Sequence, residues 1–152
     1  MIIKYNDKDL FIIESLGGQG KVVLYRWALF LQSKWNTYFD KIVYRKLIYQ
    51  KTYENIINLE RFIQFALNKK FSLTLRKLLH KKQEQNEESE HNSNRTFFCS
   101  ELIASLYKKM KVLAEDTASS YYLPGSFSQQ KNLKLINRAQ LQNELVIDFE
   151  IS

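Results

Sequence analysis

Cysteine occurs once in the 152 residues, at position 99, and histidine only twice, at His80 and His91. A single thiol excludes an internal disulfide and a metal centre built from several cysteines, so neither a metal nor another cofactor is expected. No run approaches the ~18 consecutive apolar residues of a membrane-spanning helix. Met1–Asp7 has no long apolar stretch and no small-residue cleavage site, so no secretory signal is expected and a cytoplasmic location is. The net charge of +7 invites a nucleic-acid reading. However, the chain carries no zinc-finger, helix-turn-helix or RNA-sheet signature, and nucleic acid is not an expected partner. The basic residues between Lys69 and Lys82, and Lys108, Lys109 and Lys111, read instead as solvated helix faces.

What is present is enough for one domain: 45% hydrophobic and 14% aromatic residues. The chain opens as a hairpin, with β-rich Met1–Tyr5, turn chemistry in Asn6-Asp7-Lys8-Asp9 and a second strand over Leu10–Glu14. Gly17-Gly18-Gln19-Gly20 breaks the chain. It lacks the Lys-Ser/Thr of a phosphate loop and reads as a flexible turn. Lys21–Tyr25 resumes a strand, a short helix follows within 27–39, and Lys41–Leu47 is another strand. From Thr52 to about Leu79, apolar residues recur at three- and four-residue steps (Ile56, Leu59, Phe62, Ile63, Ala66, Leu67), which predicts a helix. Lys81–Arg95 has no apolar residue to offset the entropy of ordering it, so it reads as an exposed, disordered insertion. A second helix is expected over about Phe98–Leu113, then a turn at Pro124-Gly125 and strands near Leu133–Ile136 and Leu141–Phe149. This order describes an α+β domain over residues 1–152.

On the second helix, Cys99, Leu102, Ile103, Leu106 and Met110 share one face, which directs the thiol toward the body of the domain. At a helix start, the partial positive charge and unpaired N–H groups favour thiolate over thiol and can hold an oxyanion. The plainer reading of a lone cysteine on an apolar face is a small hydrophobe. Glu101 lies about 200° further round the helix and reads as a first-turn cap or a partner for an arginine.

Phe98-Cys99-Ser100-Glu101-Leu102-Ile103-Ala104 resembles the nucleophile-helix motif of the permuted papain-like amidases, relatives of the NlpC-type cell-wall peptidases. The family places a tyrosine, a proline and a serine-containing turn downstream, and Tyr121–Ser128 (YYLPGSFS) is similar. It also has a strand ending in a glutamate followed by a small residue, which Leu10–Ser15 matches, and Ile42–Arg45 looks like a later strand. The likeness covers most of the chain. It implies a papain-like, circularly permuted fold with an antiparallel sheet packed on helices, Cys99 as nucleophile and Glu14 as the carboxylate that orients the imidazole.

In that family the histidine precedes the cysteine, on a strand just before the glutamate strand. Met1–Tyr5 looks like the tail of that strand, so the resemblance implies an N-terminally truncated domain with the base upstream of Met1. It also implies an open edge beside Leu10–Glu14. His80 and His91 read as a helix-end and a loop histidine.

The expected activity is hydrolysis of a peptide, amide or lipid ester through a thioester on Cys99, incomplete or inactive without the histidine. The alternative is a non-catalytic binding module derived from the same fold. A monomer is expected. The basic, apolar stretch 61–82 is a candidate for weak contact with an anionic membrane.

Overall fold

The computed structural model describes residues 1–6, 8–16, 21–68 and 93–149, with the side chains of 93–98 set aside. Gly17–Gly20, His80, His91 and most of the expected insertion lie outside the described residues, as does the part of the first long helix beyond Asn68.

The chain opens with an antiparallel three-stranded sheet, β1 (Ile2–Lys4), β2 (Leu10–Leu16) and β3 (Lys21–Arg26), in that order. Asn6 fixes the first turn: its Oδ1 accepts from the backbone N–H groups of Lys8 and Asp9, each at 2.8 Å. The register pairs Ile2 with Ile12 and Lys4 with Leu10, and across the next hairpin Glu14 with Val23. The expectation of an open edge beside Leu10–Glu14 is corrected here. β1 occupies that edge, because Ile2 and Ile3 have the β-branched side chains that a pleated surface favours.

A short helix, α1 (Trp27–Gln32), continues directly from β3 and leads to a 3₁₀ turn at Trp35–Thr37. A second, two-stranded sheet joins β4 (Val43–Ile48) to β5 (Gln140–Val146), so the fold has two small antiparallel sheets rather than the single one expected. The register of this pair slips between Arg45 and Leu47. Beside the slip, the Arg45 guanidinium donates to the carbonyls of Gln142 (2.7 Å), Phe127 (2.9 Å) and Leu141 (3.1 Å). One side chain thus ties the second sheet to the 3₁₀ turn over Pro124–Phe127.

Helix α2 (Tyr53–Asn68) starts where its cap predicts: Thr52 Oγ1 accepts the N–H of Asn55 at 3.1 Å. Helix α3 runs from Ser93 to Lys109. It begins five residues before the expected start at Phe98, so residues 93–95 of the expected insertion are helical. Its C-terminal end closes on Lys111, which takes a left-handed conformation while the N–H groups of Val112 and Leu113 bond back to Tyr107 O.

The strand expected at Leu133–Ile136 does not form. Ile136 donates to Val112 O at the end of α3, and Asn137 and Arg138, both left-handed, turn the chain straight into β5.

The core has two clusters with α3 between them. One gathers Ile13, Val22, Ile63, Ala66, Leu102 and Leu106 from the first sheet, α2 and α3. The other gathers Ala104, Tyr107, Met110, Val112, Leu113 and Ala139. Met1, Leu59 and Ile103 pack against both. α3 is therefore covered on two sides, and Ser100, Glu101 and Lys108 are buried. This corrects two expectations. Lys108 is not on a solvated face, and its ammonium donates to Thr117 O. Glu101 is not a first-turn cap but a buried side chain in the helix interior.

Candidate functional site

α3 sets Cys99 against the backbone of β2 at Ser15, the residue next to Glu14 in the chain. Along β2, Ile13 and Ser15 are buried on one face, and on the other Ile12 is buried while Glu14 is half-buried. From α3, the half-buried Cys99 donates its S–H to the backbone carbonyl of Ser15 at 3.1 Å. The inward face read from the sequence is as expected at Leu102, Leu106 and Met110, which are buried, while Cys99 and Ile103 sit at its half-buried margin. Ser15 Oγ is buried beside this contact and has no hydrogen-bond partner among the described residues.

The third component is position 1. Met1 N donates to Ile13 O at 2.7 Å, and Ile13 N donates to Met1 O at 2.9 Å, so the pairing of β1 with β2 extends to the first residue. Burial lowers the pKa of this amine from 8.0 to about 6, against the opposing pull of Glu14 and Cys99. Those two causes place the amine, the carboxylate and the thiol in one electrostatic neighbourhood.

The sequence did not single out Tyr25. Its hydroxyl donates to a Glu14 carboxylate oxygen at 2.8 Å. Burial and this bond both raise the phenol's pKa, so it remains a donor throughout the working pH range. The signal is the hairpin register: Glu14 faces Val23, so Tyr25 lies two residues along on the same face, within diagonal reach.

One feature of the motif reading is corrected. Cys99 is the seventh residue of α3, nearly two turns from its start at Ser93. The helix-terminal charge and unpaired N–H groups fade within the first turn, so they do not act on this thiol. The turn over Tyr121–Ser128 packs at the far end of α3, where Phe127 meets Tyr107 edge-to-face at 5.8 Å. Burial raises the Tyr107 phenol to about 12.

Cavities of about 380 and 470 Å³ open elsewhere, the first beside Tyr49, Lys111 and Arg138, the second beside Asn36 and Phe149. Neither is lined by Cys99 or Glu14. Among the described residues no group of three His, Cys, Asp or Glu side chains could hold a metal ion. In comparisons with known proteins, the chain matches no family model, no curated protein and no solved structure.

Proposed function

We propose that this chain is a cysteine-hydrolase-like domain of papain-like, permuted architecture, acting on an amide or ester. The observation that carries the reading is the meeting of Cys99, Glu14 and the position-1 nitrogen at one corner of the first sheet, drawn from segments about ninety residues apart. Cys99 Sγ is the nucleophile. Its thiolate adds to the substrate carbonyl, the amine or alcohol leaves with the thiol's proton, and water then cleaves the thioester. Glu14, held by Tyr25, orients and stabilises the protonated base.

On this reading the base comes from the start of β1 or from residues ahead of Met1. In the 152-residue chain the nitrogen in that place is the Met1 amine, whose lowered pKa leaves it able to accept a proton at pH 7.

One observation favours the second reading, a non-catalytic binding module. Cys99 donates to a backbone carbonyl, and a carbonyl oxygen opposes a negative sulfur.

Alkylation of Cys99 by iodoacetamide between pH 5 and 9 separates the two, with denatured chain as the reference. The hydrolase reading expects a rate at pH 7 at least about tenfold above the denatured thiol, rising through an inflection near 6 and falling in Glu14→Gln. A folded rate below the denatured one, with its inflection at or above the ordinary thiol value of about 8.5, overturns it.

Of the stretch 61–82, read from the sequence as a candidate for weak membrane contact, only 61–68 are described: Ile63 and Ala66 are buried in the core and Phe62 packs against them, while Phe65 is exposed. No helix among the described residues is long and apolar enough to cross a membrane.

A further inference from the structure

We propose that Ser15 is a positioning residue for Cys99, its hydroxyl donating a hydrogen bond to the sulfur once the thiol has lost its proton. The inference deepens the hydrolase reading and rests on it for the use of that bond in catalysis.

Strand alternation aims the side chain. Ile13 and Ser15 share one face of β2, and Ile13 packs in the cluster that holds Leu102 and Leu106 of α3. Cys99 lies three residues before Leu102 on the helix, and Ser15 lies one strand repeat beyond Ile13. Helix and strand therefore carry the two side chains along together. The 3.1 Å contact of Cys99 Sγ with Ser15 O fixes the approach. Carbonyl and hydroxyl belong to one residue, so rotation about χ1 alone moves Oγ among its staggered positions beside the sulfur.

The hydroxyl is the second observation. Ser15 is 5% exposed, its cross-strand neighbour Val22 is 1% exposed, and Oγ has no hydrogen-bond partner among the described residues. A buried hydroxyl without a partner costs folding free energy, and alanine would avoid that cost in so apolar a setting. A neutral thiol relieves it little, because its sulfur is a weak acceptor. A thiolate is a strong acceptor, and a hydrogen bond to the charged form favours that form. The hydroxyl thus offsets the Ser15 carbonyl, which loses its donor and opposes the charge when the thiol ionises. One residue holds the thiol with its backbone and the thiolate with its side chain.

Other charged groups reach the sulfur from the elements packed around it. The Met1 amine precedes β1, and Glu14, held by Tyr25 of β3, stands on β2. Glu101 is buried on α3, about 200° round the helix. Lys4 of β1, Lys21 and Arg26 of β3, and Glu54, Glu60 and Arg61 of α2 are exposed. A Ser15 variant keeps all of these, so its difference from the unaltered chain isolates the hydroxyl.

Iodoacetamide alkylation of Cys99 between pH 5 and 10 tests this, with urea unfolding to check that each variant is folded. In Ser15→Ala the inflection should rise by at least about one pH unit, which slows alkylation about tenfold below it. Ser15→Thr keeps the hydroxyl and should restore the inflection of the unaltered chain. If Ser15→Ala does not fold, the unaltered chain carries the test by NMR: its Ser15 hydroxyl proton should exchange with water more slowly once Cys99 is ionised.

The proposal is overturned by an unchanged or lowered inflection in folded Ser15→Ala, by folded Ser15→Thr behaving as Ser15→Ala, or by hydroxyl exchange that ignores the ionisation. An inflection at or above about 8.5 in the unaltered chain overturns the hydrolase reading alone, because the hydroxyl's effect is read from the difference.

Discussion

Helix α1, Trp27–Gln32, is apolar at five of six positions and buries none of them, whereas α3, Ser93–Lys109, buries Ser100, Glu101 and Lys108 along with its leucines. Composition alone would assign the opposite fates. The difference comes from what each helix has on its two sides. α3 separates two clusters, giving Leu102 and Leu106 to one and Ala104, Tyr107 and Met110 to the other, so little of its circumference is left for water. α1 continues from β3 at the margin of a three-stranded sheet, spans fewer than two turns, and among the described residues has no second layer over it. Burial here is a property of position in the fold, and the side chains of each helix adapt to it: Lys108 reaches Thr117 O, while the α1 aromatics stack on one another.

The strongest way to break this contrast is to cut into α3. Leu106 is fully buried between β2, α2 and the rest of the first cluster. Truncation to alanine removes its transfer energy and leaves a cavity. Leu106→Ala should therefore cost about 3–4 kcal/mol in urea unfolding. A loss below about 1 kcal/mol would mean that α3 is loosely held and that its apparent centrality in the core is wrong.

The polar side of the contrast has a pH signature, because Met1, which packs against both clusters that α3 divides, carries a buried amine. Its folded pKa of about 6 lies below the unfolded 8.0. Between those values the unfolded chain binds more protons, so stability rises with pH from about 6 to 8 and is lost on acidification through that window. At 1.36 kcal/mol per pKa unit the effect approaches about 2–3 kcal/mol. Urea midpoints at pH 8 and pH 6 measure it, and acetylation of the amine should flatten the slope. A midpoint that does not change between pH 6 and pH 8 in the unmodified chain would place the amine in water.

How far this was legible in the sequence follows the same division. Local chemistry could be read directly: the Asn6 turn, the apolar run of β2 that holds Ile12 and Ile13, the Thr52 cap and the three- and four-residue steps of α2 all act within a few residues. The inward direction of Cys99 was legible from Leu102, Leu106 and Met110 for the same reason. Periodicity, however, reports one covered face. It could not show that a second cluster covers α3, so Lys108 read as solvated and Glu101 as a cap. Nor could it set the start of α3, since Ser93–Thr96 offers no apolar position to mark a period. The Tyr25–Glu14 bond needed the strand register, and the failed strand at Leu133–Ile136 needed the contact of Ile136 with Val112, which is made by distant chain.

The smallest expected effect tests the other half of the comparison. If α1 contributes little to the core, Leu29, half exposed on it, can be changed at almost no cost: Leu29→Ser should alter the unfolding free energy by less than about 0.5 kcal/mol. Near-neutrality would be informative because leucine in a working core resists such a change by several times as much. It would show that the apolar character of α1 is not explained by packing into the core described above. A loss above about 2 kcal/mol would instead show Leu29 to be packed against the body of the protein in solution. The contrast between α1 and α3 would then disappear.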